Sequence, residues 1–222
     1  MPQSKSSPKS NPKSNTDEAL RALVAAIVAS DAPAVSRLLA ESPQLATATF
    51  ESGATRQSAK PSFIDAVKRY IIVGDTALHF AAAAYRPEIA RRLLAAGADV
   101  HARNRFGDDP LHAAAAGCPG SVLWNPEAQA ATIAFLIQEG ADPNAVNKRG
   151  VAPLHIAIRT RSAAAVRRLI DLGADPSRPN GNGSTPVLLA QLNTGRGGSG
   201  SPPAKEQQQQ ILRILEQAAR PS

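Results

Sequence analysis

The stretch Gly74-Asp75-Thr76-Ala77-Leu78-His79-Phe80-Ala81-Ala82, with Leu93-Leu94-Ala95-Ala96-Gly97-Ala98-Asp99 behind it, decides the reading of the whole chain because it recurs. Its first half returns as Gly107-Asp108-Asp109-Pro110-Leu111-His112-Ala113-Ala114 and as Gly150-Val151-Ala152-Pro153-Leu154-His155-Ile156-Ala157. A weaker copy is Gly183-Ser184-Thr185-Pro186-Val187-Leu188-Leu189-Ala190. Its second half returns as Leu136-Ile137-Gln138-Glu139-Gly140-Ala141-Asp142 and Leu169-Ile170-Asp171-Leu172-Gly173-Ala174-Asp175. Gly74 and Gly107 are 33 residues apart, as are Gly150 and Gly183, while Gly107 to Gly150 is 43, one period plus ten. A fixed period of this length marks stacked supersecondary units.

Composition fits such a stack. Of 222 residues, 43% are hydrophobic but only 4% aromatic, so the core is built from Ala, Leu, Ile and Val. Alanine-rich helices pack closely, which suits a repeat array better than one large core. The net charge is +7, part of it on Lys5, Lys9 and Lys13, which have no acidic neighbour. The remainder is mildly basic, compatible with an acidic protein partner or weak nucleic-acid contact. Cys118 is the single cysteine. It excludes an intrachain disulfide and makes a reducing, cytoplasmic setting the default. No run approaches the ~18 apolar residues of a membrane span, and no apolar segment follows the N-terminal lysines as a secretory signal requires. The Ala, Arg and Pro bias points to a GC-rich, bacterial genome.

Along the chain, residues 1–15 (MPQSKSSPKSNPKSN) lack apolar residues after Met1 and read as a disordered tail. Asn15 or Thr16 is expected to cap the first helix, whose Leu20, Leu23, Val24, Ile27 and Val28 share one face. A second helix runs through Pro33, Val35, Leu38 and Leu39. The rhythm breaks at 46–70, which holds Phe50, Phe63 and Tyr70, three of the eight aromatic residues. A loop and then a short helix near 62–70 are expected there, packed on the stack or forming part of a binding surface. In each later unit Thr or an equivalent caps the inner helix, with Pro in its first turn. Gly97, Gly140 and Gly173 end the outer helices, and Asp99, Asp142 and Asp175 suit the turn that follows. Two more insertions, 118–127 (with Cys118 and Trp124) and 193–210, fall at equivalent places between inner and outer helices. Gln207–Gln210 reads as a solvated helix start, and Ile211, Leu212, Ile214 and Leu215 form an amphipathic closing helix.

The repeated Thr-Pro-Leu-His-x-Ala and Leu-Leu-x-x-Gly-Ala-Asp signatures resemble ankyrin repeats, over Gly74–Asn182 and more weakly over most of 17–219. The resemblance implies an all-α solenoid of about five helix-turn-helix units with β-hairpin-like fingers. The units fall at 16–45, 74–106, 107–149, 150–182 and 183–219, within a domain spanning 16–222. The resemblance also implies a non-catalytic binding platform whose fingertips and concave inner-helix surface contact a partner protein. The chain departs from the pattern at its three insertions and in Asp109 and Ala152, which replace the capping Thr.

His79, His112 and His155 repeat like a metal ladder, but successive units lie about one helix diameter, ~10 Å, apart. Zinc needs its ligands ~2 Å from one ion. The resemblance implies instead that each His braces turns by bonding to backbone, so no metal or cofactor is expected. The Gly195–Gly200 run lacks the Lys-Ser/Thr ending of a phosphate loop and reads as a flexible loop. No nucleophile–base pair or carboxylate cleft stands out, so the chain is not read as an enzyme. Aligning the units places Arg105, Phe106 and Asp108 on one finger and Lys148, Arg149 and Val151 on the next, with Arg159 at the exposed end of an inner helix near them. These residues form the expected partner-binding surface, a basic strip with one exposed aromatic that suits an acidic groove or peptide. The leading function is binding a partner protein, with the chain a monomer. A secreted effector using the same scaffold in a host cell is the alternative, suggested by the tail. Nucleic-acid binding rests on charge alone and ranks last.

Overall fold

The computed structural model describes residues 12–117, 124–192 and 202–219. Five helical pairs follow one another: α1 (Pro12–Val28) with α2 (Ala32–Glu41), α3 (Ala77–Ala83) with α4 (Pro87–Ala95), α5 (Pro110–Ala115) with α6 (Pro126–Gln138), α7 (Pro153–Arg159) with α8 (Ala163–Asp171), and α9 (Pro186–Gln191) with α10 (Pro202–Ala218). The first members pack side by side in one layer, α1 on α3, α3 on α5, α5 on α7 and α7 on α9, and the second members line up behind them. This is the all-α repeat solenoid that the resemblance implies, with the stacked units that the periodicity marks.

The inner helices α3, α5 and α7 span seven, six and seven residues, too short to hold together alone in water. Their alanines (Ala77, Ala81, Ala82, Ala113, Ala114, Ala115 and Ala157) are buried, so neighbouring backbones approach closely and packing supplies what propensity cannot. Leu20, Leu23, Val24 and Ile27 of α1 are fully buried on the face the sequence assigns them. Each outer helix ends as expected. Gly97, Gly140 and Gly173 take φ of +95°, +102° and +94°. The residue after each donates five positions back, as in Ala98 N to Leu93 O at 2.9 Å. Asp99, Asp142 and Asp175 each accept from the amide two residues on, at 2.8 Å. The turn from inner to outer helix also needs a left-handed residue, and Ser30, Tyr85 and Arg161 fill it at φ 60°, 57° and 57°.

The 46–70 region departs from expectation. Instead of a short helix near 62–70 there is a hairpin, β1 (Phe63–Ile64) antiparallel to β2 (Arg69–Tyr70), with a 3₁₀ turn at Asp65–Val67 between the strands and Lys68 left-handed. The alternating Phe63/Ile64 and Arg69/Tyr70 pairs favour strands, and Phe63 and Tyr70 meet across them with ring centroids 4.8 Å apart. The hairpin sits on the frame of an ordinary finger. Phe50 N donates to Asp75 O at 2.9 Å and Gly74 N to Phe50 O at 2.8 Å. These are the bonds that Asn104 N makes to Asp108 O and Gly107 N to Asn104 O. The insertion is therefore an expanded fingertip. Phe50 plugs its base, fully buried and edge-on to Phe80 at 5.9 Å.

Three further expectations change. α1 begins at Pro12, so residues 12–15 are its first turns and neither Asn15 nor Thr16 caps it. Asp17 instead reaches sideways, accepting from the amides of Glu51 and Ser52 at 3.0 Å each and from the Ser52 hydroxyl. α10 begins at Pro202, so residues 202–210 of the third insertion belong to the closing helix. Its glutamines are not merely solvated: Gln207 accepts from Ala163 N at 3.0 Å and Gln208 donates to Ala190 O at 2.8 Å. Residues 1–11 of the tail, 118–123 with Cys118, and 193–201 with the Gly-rich run lie outside the described residues. Past the second insertion, buried Gln129 of α6 ties the stack together, donating to Ala114 O at 2.9 Å and accepting from Ser162 Oγ at 2.8 Å.

Two left-handed glycines should respond differently to alanine. At Gly97 (φ +95°) an added Cβ meets nothing within 4 Å, whereas at Gly150 (φ +65°) it would lie 2.7 Å from Gly181 N in the next finger. Gly97→Ala is expected to lower stability by about 1 kcal/mol from backbone strain alone. Gly150→Ala should cost at least twice as much in urea unfolding, because a main chain must also move.

Candidate functional site

The surface is built on the fingers, and each of the three fingers after the expanded one is built on an asparagine. Asn104 Oδ1 accepts from Phe106 N and Asp108 N at 2.9 and 3.1 Å. Asn147 Oδ1 does the same for Arg149 N and Val151 N, and Asn180 Oδ1 for Asn182 N and Ser184 N. Asparagine suits this place because its side chain closes a turn on the backbone two residues ahead. Its amide then reaches back. Asn104 Nδ2 donates to Asp75 Oδ1 at 2.9 Å, and Asn147 Nδ2 to Asp108 Oδ1 at 2.7 Å. Main-chain bonds join the tips, Arg105 N to Val73 O at 2.8 Å and Lys148 N to Phe106 O at 3.0 Å.

This frame sorts the expected site residues. Arg105, Phe106, Lys148 and Arg149 lie exposed at adjacent tips. The guanidiniums of Arg105 and Arg149 stand 4.9 and 5.7 Å from the centre of the Phe106 ring. Asp108 and Val151 belong to the finger bases. The Asp108 carboxylate takes the Asn147 amide, and Val151 holds the equivalent place one finger on, offering Asn180 no carboxylate. Arg159 is exposed at the last position of α7, about 9 Å of helix axis from Pro153 at the finger end. It lines a small recess with Leu189 and Leu192 of the last unit.

Sequence reasoning placed no individual residue of the expanded finger in the site, yet it forms one wall of a concave groove of about 400 Å³. Lys68, Arg69, Tyr70 and Ile72 face Phe106 and Asp108 across it. The inner helices supply a floor of Ala83, Ala113, Ala116 and Gly117. Tyr70 is 44% exposed and Phe106 36%. Arg69 is anchored at 2.9 Å to the buried carboxylate of Asp75. The visible signal was the aromatic content of the 46–70 insertion.

Behind the groove, the three histidines clip each unit to the next finger. Thr76 N donates to His79 Nδ1 at 3.1 Å, so the proton sits on Nε2, which donates to Asp108 O at 3.1 Å. His155 repeats this between Ala152 N and Arg178 O, both at 3.0 Å. Burial holds both imidazoles below their ordinary value. Neither ring keeps a free nitrogen for a metal. His112 differs because Asp109 stands where Thr caps. Its Nδ1 lies 2.8 Å from Asp109 Oδ1, and its Nε2 faces Val151 O at 3.0 Å. Burial pushes His112 down, but the Asp109 carboxylate outweighs it and raises the imidazole. Burial pushes Asp109 up, but its bonds to His112 outweigh that and lower it.

Asp109→Thr should return His112 to the lowered, neutral state of its neighbours, read by NMR titration of the ring. The pH sign follows from the two directions. The raised His112 contributes fully below its unfolded value of about 6.5 and loses its contribution as pH rises through the folded one. The depressed Asp109 contributes fully above about 3.9 and loses its contribution as pH falls through its folded value. The wild-type advantage over Asp109→Thr should peak between about pH 4 and 6.5 and shrink on either side. A difference flat with pH would show that the pair is not charged.

Among the described residues no helix is long and apolar enough to cross a membrane. A family described as "Ankyrin repeats (many copies)" matches residues 136–190, and a second of the same description matches 78–123. "Ankyrin repeat" matches 106–148. Among curated proteins, neurogenic locus notch homolog protein 2 of Homo sapiens and that of Mus musculus are each 35% identical over 108 residues, covering 38% of this chain. The chain spans only 4% of the length of either. The family matches run unbroken from 78 to 190, on units that repeat the same finger, clip and helix pair: the chain is an ankyrin-repeat protein.

Proposed function

We propose that the chain is a non-catalytic interaction module that binds a partner protein through its fingertips and the concave groove beneath them. The observation that carries this reading is the Arg105–Phe106–Arg149 cluster, an exposed aromatic that lines the groove and has two guanidiniums 4.9 and 5.7 Å from its ring centre. Aromatic and arginine side chains dominate binding energy where they can be desolvated together. The polar chemistry behind the cluster supports the same reading. The histidines, Asp75, Asp108 and Asp109 are bonded within the scaffold, and of these only Asp108 lines the groove, its carboxylate held by the Asn147 amide.

The reading is tested by charge reversal. Lys148→Glu with Arg149→Glu should weaken binding to a partner captured from the native host by at least ~10-fold, the equivalent of ~1.4 kcal/mol. Circular dichroism should show the fold intact. Arg105→Glu should weaken it further, since Arg105 also bonds Ala54 O at 2.9 Å. Arg159→Glu, measured separately, tells whether the surface extends along α7. Unchanged binding in the Lys148/Arg149 double variant would place the surface elsewhere.

A further inference from the structure

Resting on that reading, the geometry points to the class of partner: an acidic peptide segment whose one or two apolar side chains seat between Tyr70 and Phe106. The groove volume of about 400 Å³ falls at the lower end of the ~300–1,000 Å³ typical of ligand pockets, room for an anchor side chain or two. The side chains of its floor, Ala83, Ala113 and Ala116, are apolar, and the Thr160 and Asp108 side chains beside them are bonded within the scaffold, so the floor suits an apolar group. Small floor residues also let a partner's main chain come close.

The rim selects the charge. Acids near the groove are already committed: Asp65 pairs with Lys68 at 2.6 Å, Asp75 with Arg69 at 2.9 Å, and Asp108 takes the Asn147 amide at 2.7 Å. Arg105, Lys148 and Arg149, on the fingertips around Phe106 rather than in the groove lining, have no acidic partner among the described residues, so uncompensated positive charge stands beside the groove. That charge attracts carboxylates and repels basic sequences. Single-stranded nucleic acid would use the same charge but needs open aromatic faces for base stacking. Here the Phe106 ring is engaged by two guanidiniums, at 4.9 and 5.7 Å. Tyr70 leans on Phe63 at 53° between rings. The rings offer edges to an apolar side chain rather than platforms to bases.

The test is selection of a displayed random-peptide library on the full chain, followed by fluorescence anisotropy of the best peptide, synthesised with a fluorescein label, and of labelled oligo-dT. Enriched peptides are expected to be rich in Asp and Glu around a Leu, Met, Phe or Trp. Replacing that anchor by Ala should weaken binding at least ~10-fold, as should Tyr70→Ala, Phe106→Ala or Arg149→Glu in the protein. Raising the salt should weaken it too. Tyr70→Ala and Phe106→Ala change exposed residues on separate fingers, so each checks the other against a folding artefact. Neutral or basic winners, binding undiminished in both aromatic variants, tighter binding of oligo-dT, or no enriched peptide would each overturn the assignment. The broader reading is judged apart from these outcomes by the charge-reversal capture experiment, which requires no linear peptide.

Discussion

The hydrogen bond from a buried imidazole Nε2 to a main-chain carbonyl of the following finger recurs at His79, His112 and His155, at 3.1, 3.0 and 3.0 Å. Each acts on two units at once. At His79 and His155 Nδ1 accepts from the backbone N–H at the start of its own helix, at His112 Nδ1 meets the Asp109 carboxylate, and in all three Nε2 fixes how far away the next finger stands. In a one-dimensional stack, stability is a sum of unit and interface terms, and helices of six or seven residues contribute little as isolated units. The interface term must therefore dominate, and a buried polar group satisfied on both sides is a directional way to supply it. At His112 the same geometry favours the charged imidazole, because Asp109 replaces a hydroxyl with a carboxylate.

The fingers inherit their spacing from these clips, which explains how one can grow without disturbing the rest. The bonds that close the Asn104–Asp108 finger also close Phe50 on Asp75 and Gly74 on Phe50. Once that frame is set, extra residues at the tip cost only the slowly growing entropy of a longer loop. Asp17 offsets part of that cost by holding the amides of Glu51 and Ser52, and the buried ring of Phe50 replaces the asparagine that closes the other fingers. The outcome is a concave face with one tall wall, carrying Tyr70.

Most of the scaffold was legible because it rests on period and local chemistry. The Gly97, Gly140 and Gly173 helix ends and the α1 face of Leu20, Leu23, Val24 and Ile27 follow from rules that act within a few residues. The misses share the opposite property. The hairpin at 63–70 was read as a helix because two-residue strands leave no periodicity to count. Asp17 was not legible as a tie to the insertion because its partners lie more than thirty residues away. Ser30, Tyr85 and Arg161 occupy left-handed turns without being glycine, so no residue type announced them. In the site, Arg105, Phe106, Lys148 and Arg149 were legible as fingertips by alignment alone. The roles of Asp108 and Val151 were not, since telling a tip from a base requires the ladder of asparagine amides.

Arg105 shows how scaffold and surface meet. Its amide bonds Val73 O at 2.8 Å and its guanidinium Ala54 O at 2.9 Å, both in the expanded finger, while the same guanidinium stands 4.9 Å from the Phe106 ring. One residue thus fixes the tall wall to its neighbour and positions the aromatic that faces Tyr70. A lip held by main chain, side chain and ring together loses little conformational freedom when a partner arrives, and that saving passes directly into affinity. Removing charge from Lys148 alters attraction alone, whereas removing Arg149 also frees one contact on the Phe106 ring and removing Arg105 loosens the geometry against which attraction acts.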